Sequence, residues 1–364
     1  MLQPTSTLLA GLLRRDRACL SRAITLIEST RREHRAEAEL LLDALLAARP
    51  PLPPASPPPT FRVGIAGPPG AGKSTLIEVL GLHILREEAK AGAAAAASGV
   101  AVVAVDPSSP RTGGSILGDK TRMGALCAAE GAFVRPSPAR GALGGVARAT
   151  HEVVSLCEGA GFGTVLVETV GLGQSEVAVD GCVDALLLVL PPAGGDELQG
   201  LKKGIVEVAD VVVVNKADGP LLNAAEVAAG EYRSAVSLTT WKHGGAWRPR
   251  VLTASAAEGR GVAEVWASLC ELRGALAASG ALRERRRAQA EGFMWADFRA
   301  ELVARGEGQG AVAAAARAQG ALLADGRRTP RAAARALMHA LDGAWGRAAA
   351  AEGPQSRRAA AAGP

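Results

Sequence analysis

The chain reads Gly67-Pro68-Pro69-Gly70-Ala71-Gly72-Lys73-Ser74-Thr75 directly after an apolar run at residues 63–66, and a stretch with helical spacing follows. This is the pattern G-x-x-x-x-G-K-[ST] between a strand and a helix. Glycines let backbone N–H groups close around phosphates, and the N-terminus of the next helix favours negative charge. We expect these nine residues to bind a nucleoside triphosphate, with Lys73 at the β- and γ-phosphates and Ser74 on Mg²⁺. A glycine turn that only packs a strand on a helix is the alternative.

A second motif, Asn215-Lys216-Ala217-Asp218, follows the β-branched run at residues 211–214. The Asp218 carboxylate can accept from the N1–H and the N2 amine of guanine. Adenine has no donor at either place, so it would leave a buried charge unpaired. Lys216 would lay its methylene groups over the base. Alone, the motif is also typical of a polar turn, but after a phosphate loop it indicates guanine recognition.

A third segment, Thr253-Ala254-Ser255-Ala256, follows two apolar residues. We expect the backbone N–H groups of Ser255, Ala256 and Ala257 to face guanine O6. Without the other two motifs, this segment would indicate only a loop.

The composition indicates the broad class of protein. The chain has 364 residues, 48% of them hydrophobic, which is enough for a large domain with helical additions. A net charge of +5 could attract an acidic partner, but the arginines are dispersed and aromatic residues make up only 3%. Base-stacking surfaces need aromatics, so we expect no nucleic-acid partner and interpret the charge as solvated helices.

The five cysteines are odd in number, widely spaced and without a C-x-x-C, which argues against disulfides and a zinc ribbon. The five histidines lack metal-ligand spacing as well. No apolar run approaches the roughly 20 residues that cross a bilayer, so we expect no membrane association.

The N-terminus has two interpretations. Leucines between residues 8 and 13, with arginines between residues 14 and 22, resemble a transit peptide. The apolar spacing continues to residue 27, however, and a second helical pattern covers residues 33–48, which favours a pair of structural helices. Without a clear presequence the cytoplasm is expected, or the mitochondrial matrix if the source is eukaryotic.

Five segments are predicted. A helical arm at residues 1–48 precedes a proline-dense linker at 49–60, which should be extended. The nucleotide-binding domain covers residues 61–272, a helical arm 273–354 and a disordered tail 355–364.

Within residues 61–272, short β-rich runs alternate with helical stretches, which predicts an α/β fold with a doubly wound, mostly parallel sheet. Six strands are expected, at residues 62–66, 100–105, 164–167, 185–190, 211–214 and 250–252. The polar motifs directly follow these runs, at the edge where open α/β sheets bind ligands.

Candidate magnesium ligands accompany Ser74. Mg²⁺ prefers oxygens from one or two carboxylates, phosphates and water, which Asp106 and Asp119 could supply around a glycine-rich segment at 113–120. Asp119 could instead cap a helix. Glu168-Thr169-Val170-Gly171 stands where many GTPases carry D-x-x-G, with the Gly171 N–H offered to the γ-phosphate.

A long loop at residues 191–203 follows the expected strand 185–190. A solvated connection is the ordinary interpretation of such a loop. Its place at the ligand edge also allows it to sense the nucleotide or contact a partner.

Taken together, several segments resemble the G-protein chaperones of methylmalonyl-CoA mutase, the MMAA, MeaB and ArgK family. The resemblance covers roughly residues 8–300. It rests on residues 17–20, 23–30, 67–75, 105–109, 113–123, 135–138, 140–141, 143–145, 167–171, 173–176, 195–200 and 215–218.

The resemblance implies a homodimeric P-loop GTPase that gates adenosylcobalamin delivery to methylmalonyl-CoA mutase and protects that enzyme. Such proteins hydrolyse GTP slowly alone and faster with the mutase; adenosyltransferase is a further candidate partner. Asp106, Asp119 and Glu168 would lie around Mg²⁺ and the γ-phosphate, and the C-terminal helices would form a dimerisation arm. A third switch that relays the nucleotide state to the mutase would comprise Asp196, Glu197, Gln199 and Lys202.

Two other functions are compatible with parts of the sequence. A nickel-inserting GTPase would be expected to carry a histidine tract or a C-x-x-C, and this chain has neither. A small-molecule kinase could use the same phosphate loop, but Asp218 favours guanine over the adenine nucleotide that a kinase normally uses.

Overall fold

The computed structural model describes residues 5–29, 31–49, 56, 58–92, 98–107, 123–139, 143–169, 179–192, 207–239, 241–243 and 245–351. Its sheet has seven strands, all parallel, in the order β3-β2-β4-β1-β5-β6-β7. The strands are β1 (Phe61–Ala66), β2 (Val100–Pro107), β3 (Ala132–Ala139), β4 (Thr164–Thr169), β5 (Ala185–Leu190), β6 (Val211–Val214) and β7 (Arg250–Thr253).

Eleven α-helices lie within the described residues. They are α1 (Thr5–Leu13), α2 (Arg17–Ile27), α3 (Arg32–Ala47), α4 (Lys73–Lys90), α5 (Gly124–Ala128), α6 (Leu143–Gly159), α7 (Leu222–Ser237), α8 (Val262–Ala278), α9 (Ala281–Glu307), α10 (Gly310–Ala324) and α11 (Pro330–Ala351). No helix in this part of the chain is both long and apolar enough to cross a membrane.

Helices cover both faces of the sheet, which is visible in β5. Leu187 and Val189 belong to the apolar cluster that includes α4 and α8, while Leu186 and Leu188 belong to the cluster that includes α7. Successive side chains of a strand point to opposite faces, so a strand buried on both sides is apolar throughout. The predicted doubly wound parallel α/β fold is confirmed.

The six expected strands are all present, and β3 is the strand that the pattern missed. Pro136 and Pro138 interrupt its β-rich sequence. Proline cannot donate to a strand ladder and is confined to edge strands or bulges. Here β3 is an edge strand, paired only with β2 within the described residues, and the two prolines occupy alternate positions.

The N-terminal helices are part of the packed structure. Leu8, Leu12, Leu20 and Ile24 are all buried, and α2 and α3 pack against α6. The described part of this region forms three helices, where the sequence predicted a pair. Asp16 caps α2 by accepting from the Cys19 N–H at 2.7 Å.

Two compact units divide the chain, residues 1–289 and residues 290–364. The first includes the N-terminal helices, the sheet and the beginning of α9. The boundary therefore falls inside a helix, whereas the sequence predicted boundaries near residues 48, 60 and 272. In the second unit α10 packs on α11. The predicted tail at 355–364 lies outside the described residues.

A buried ion-pair network lies at the amino edge of the sheet. Both carboxylate oxygens of Glu158 accept from Arg62, at 2.7 and 2.8 Å, and one of them also accepts from Arg286 at 3.0 Å. Arg286 makes two further bonds to Asp184, at 2.6 and 2.7 Å. Burial by itself raises the pKa of Glu158, but the guanidinium groups of Arg62, Arg286 and Arg49 outweigh it and lower that pKa to about 2.

The network predicts an acid-dependent stability. A carboxyl whose pKa is depressed in the folded state stabilises the fold above its unfolded pKa, and this contribution is lost as the pH falls from about 5 through about 2. We expect Glu158→Gln to lower the free energy of unfolding at pH 7 by about 3 kcal/mol, because the buried Arg62 and the partly buried Arg286 lose their shared charge partner. The variant should also lose less stability than the unaltered protein between pH 5 and pH 3.

Urea unfolding at each pH measures both effects. Glu284→Gln is the matched control, since its carboxylate pairs with Arg287 at the surface and both side chains are 66% exposed. That change should leave the stability nearly unaltered. Equal losses in the two variants would contradict the assignment.

Candidate functional site

The phosphate loop, residues 67–75, leaves β1 and enters α4 through glycines with positive φ. Gly67 has φ +154°, Gly70 +81° and Gly72 +86°. A Cβ on Gly67 would lie 2.0 Å from the carbonyl oxygen of Val189 in β5, and one on Gly72 would lie 2.5 Å from Nδ2 of Asn215. Both the backbone conformation and the close approach therefore require glycine at residues 67 and 72.

Lys73 is the first residue of α4, and its side chain folds back into the loop. The residue is 8% exposed, and Nζ donates to the carbonyl oxygens of Gly67 at 2.8 Å and Pro68 at 3.1 Å. These bonds hold a positive charge next to the N–H groups of the first helical turn. Phosphate oxygens that enter the loop would meet both, which is the arrangement expected for Lys73.

Ser74 and Glu168 form the polar contact beside the loop. The Ser74 hydroxyl donates to Oε1 of Glu168 at 2.8 Å, and Glu168 is 4% exposed near the carboxyl end of β4. A hydroxyl and a carboxylate within contact distance are hard oxygen ligands of the kind Mg²⁺ takes, so the chemistry of this pair fits the metal.

Asp106 and Asp119 are the other two predicted magnesium ligands. The backbone of Asp106 lies near the end of β2, whose Val105 pairs with Thr169 of the neighbouring β4. That register brings Asp106 to the same edge as Glu168. Asp119 and Gly171 lie outside the described residues, as do Asp196, Glu197, Gln199 and Lys202. Among the residues that the structure describes, no three His, Cys, Asp or Glu side chains cluster as metal ligands.

Asn215 connects the phosphate loop to the other two motifs. Its Nδ2 donates to the carbonyl oxygen of Ala71 at 2.9 Å, and its Oδ1 accepts from the Ala256 N–H at 3.1 Å. Asn215 is 1% exposed, and its own N–H donates to Leu190 at the end of β5. Its side chain therefore ties two loops together, a role that the motif alone does not reveal.

Lys216 and Asp218 complete the guanine loop, residues 215–218. Lys216 has φ +61°, a left-handed conformation that non-glycine residues rarely adopt. Its side chain reaches Gly72, where Cε would lie 3.9 Å from an added Cβ. Oδ2 of Asp218 accepts from the hydroxyl of Ser255 at 2.5 Å, which fixes the carboxylate between β6 and β7.

The segment after β7, residues 254–260, contributes in a different way from that expected. The Ser255 N–H donates to the carbonyl oxygen of Arg260, and the Ala256 N–H to Asn215. Both N–H groups are thus bonded within the protein. Of the three donors proposed for guanine O6, the Ala257 N–H is the remaining candidate. Arg260 also donates from its guanidinium to the carbonyl oxygen of Ala217. Sequence reasoning missed this contact, since no motif includes Arg260.

The motifs lie at or directly after the carboxyl ends of β1, β4, β6 and β7, so one edge of the sheet carries them all. The edge presents a buried ammonium and helix N–H groups for phosphates, oxygen ligands for a divalent cation, and a fixed carboxylate for a base with two adjacent donors. This arrangement suits a purine nucleoside triphosphate with guanine as its base.

Comparison with known proteins identifies relatives along most of the chain. The family model described as methylmalonyl Co-A mutase-associated GTPase MeaB matches residues 20–311. The mouse methylmalonic aciduria type A homolog, mitochondrial, is 47% identical over 290 residues, which are 79% of this chain and 68% of the mouse protein. GTPase ArgK of Escherichia coli is 46% identical over 278 residues, 75% of this chain and 77% of that protein.

A solved structure shares the fold as well. The crystal structure of a protein described as LAO/AO transport system kinase superposes with a TM-score of 0.69 at 33% sequence identity, and the match covers 92% of this chain and 96% of that one.

The phosphate loop supports a paired glycine test. Gly67→Ala should weaken binding of a fluorescent guanine nucleotide by more than about tenfold, since a Cβ 2.0 Å from a backbone oxygen forces the loop to move. Gly70→Ala is the control. Its Cβ would have no neighbour within 4 Å, so only the left-handed conformation costs about 1 kcal/mol. If the two variants bind equally well, steric closure against β5 does not shape the loop.

Proposed function

Since the chain is a GTPase of the MeaB family, the methylmalonyl-CoA mutase-associated GTPases, we propose that its GTP cycle gates adenosylcobalamin loading into methylmalonyl-CoA mutase and protects that enzyme. The observation that supports nucleotide binding is the pair of hydrogen bonds made by the Asn215 side chain. It joins the phosphate loop to the segment that follows β7, so one side chain aligns the parts that meet the triphosphate and the base.

Guanine selection follows from the carboxylate of Asp218. The guanine loop is held in place by the Ser255 hydroxyl and by the contact of Arg260 with Ala217. The two carboxylate oxygens of Asp218 therefore need no reorganisation when the base binds. A base without donors at both positions would bury this charge unpaired, which is a large penalty.

Hydrolysis requires charge compensation at the phosphates. Lys73 supplies a positive charge inside the loop, and Ser74 and Glu168 would hold Mg²⁺, with Asp106 and Asp119 as further carboxylates. When bound, Mg²⁺ neutralises the charge on the β- and γ-phosphates. The N–H of Gly171 would contact the γ-phosphate.

The nucleotide state would reach a partner through the connection between β5 and β6. Leu190 ends β5 and accepts from the Asn215 N–H at 2.8 Å. The proposed third switch, with Asp196, Glu197, Gln199 and Lys202, follows this point. The chain that leads to these residues leaves β5 at Leu190, which is bonded to the guanine loop.

A homodimer is proposed with the second unit as its contact surface. Met294, Trp295 and Phe298 of α9 are each more than half exposed, and the two rings form an edge-to-face pair 5.8 Å apart. Exposed aromatic side chains of this kind favour a protein contact. Adenosyltransferase is a further proposed partner.

The two other functions remain weaker. The name of the LAO/AO transport system kinase describes a kinase, but the carboxylate of Asp218 favours guanine here. For a nickel-inserting GTPase, the chain lacks a histidine tract and a C-x-x-C.

The central experiment measures GTP and ATP hydrolysis with and without purified methylmalonyl-CoA mutase. We expect GTP to be preferred and the mutase to accelerate its turnover, and we expect Lys73→Ala to abolish turnover under every condition because the loop loses its charge. A preference for ATP, or a rate of GTP hydrolysis that the mutase does not change, would contradict the proposal.

Lys202→Ala tests the relay to the partner separately. It should leave GTP affinity and basal hydrolysis unchanged and abolish the acceleration by the mutase. Lys90→Ala, at a surface lysine paired with Glu87, is the control and should retain the acceleration. Normal acceleration in Lys202→Ala would show that the third switch does not reside there.

A further inference from the structure

A cleft of about 480 Å³ lies between the C-terminal turns of α7 and the segment that enters β7. The guanine loop and residues 254–260 follow the carboxyl ends of β6 and β7, whereas this cleft lies at the start of β7. Its walls combine the apolar surfaces of Val236, Trp247 and Val251 with three arginines, Arg233, Arg248 and Arg250. None of the motifs described above includes these residues.

The cleft carries an excess of positive charge. The lining residues that the structure describes include no carboxylate, and among them only Arg250 has an acidic partner, Glu271 of α8, at 2.5 Å. Within the described part of the chain, neither Arg233 nor Arg248 forms an ion pair with a carboxylate. The three guanidinium groups and the one carboxylate give the cleft a net charge of about +2. A concave surface with this positive charge attracts anions.

Two of the guanidinium groups are held in place by indole rings. Arg250 lies over Trp247, 4.8 Å from the ring centroid, and Arg248 lies over Trp241 at 5.5 Å. Trp247 is itself fixed, since it is 7% exposed and its Nε1 donates to the carbonyl oxygen of Asp210 at 2.9 Å. Guanidinium groups stacked on aromatic faces lose less freedom when they bind an oxyanion.

We propose that this cleft binds a small phosphate monoester with an apolar body. A phosphate monoester carries a charge of about −1.5 to −2 at pH 7, which balances the net positive charge of the cleft. Guanidinium groups bind phosphate oxygens in pairs, and the walls formed by Val236, Trp247 and Val251 accommodate the organic part. The volume lies within the range of roughly 300–1,000 Å³ that small-molecule sites occupy.

Calorimetric titration tests the site on the full chain. The protein is first saturated with GDP and Mg²⁺, because phosphates would otherwise enter the phosphate loop. Phenyl phosphate, which combines the dianion with an apolar ring, should bind more tightly than inorganic phosphate, and phenol should not bind. Arg233→Gln and Arg248→Gln should each weaken phenyl phosphate binding by at least about tenfold.

Arg22→Gln, at an exposed arginine of α2, is the matched control and should bind as the unaltered protein does. Basal GTP hydrolysis should be unchanged in all three variants, which establishes that they fold. The proposal is wrong if phenyl phosphate gives no heat at about 10 mM, or if the two cleft variants bind it as well as Arg22→Gln does. Binding of a phosphoserine peptide without binding of phenyl phosphate would also overturn it, because the ligand would then be a macromolecule. None of these results depends on methylmalonyl-CoA mutase.

Discussion

The amide of Asn215 is the interaction on which the nucleotide site depends. It donates to the phosphate loop and accepts from the segment after β7, so the loops that follow β1, β6 and β7 share one hydrogen-bonded centre. An amide can do this because it offers a donor and an acceptor at fixed geometry. The residue is almost fully buried, so loss of either bond would leave an unsatisfied polar group in the interior.

The two edges of the sheet have different roles in the molecule. The carboxyl edge has loops with positive φ and the buried charged groups of Lys73 and Glu168. At the amino edge, Glu158 and Asp184 are instead fully engaged with Arg62 and Arg286, and these bonds join β1, α6, the start of β5 and α9. The rigid edge gives the strands fixed positions from which the loops at the other edge project.

The motifs of the nucleotide site were predictable from the sequence because each is short and local. Residues 67–75 and 215–218 each contain the residue types that their chemistry requires. The apolar runs likewise predicted six of the seven strands. Edge strand β3 was missed since its prolines break the pattern that identifies a strand.

Contacts between distant segments were not predictable. Arg62 and Glu158 are 96 residues apart, and Arg286 and Asp184 are 102 apart, so only the folded chain brings them together. The same holds for Arg260 on Ala217, and for the cleft in which Arg233 of α7 meets Arg248. The expected roles of Ser255 and Ala256 also changed, because the folded loop uses their N–H groups internally.

The prolines of β3 have a further consequence for how the molecule behaves in a crowded solution. An exposed edge strand offers a row of backbone groups onto which another chain can add, which is a common start of aggregation. Alternate residues of a strand direct their backbone groups to the same side, and β3 has prolines at two such positions, 136 and 138. At these two positions the strand has no N–H to donate, so its sequence disfavours the addition of another strand.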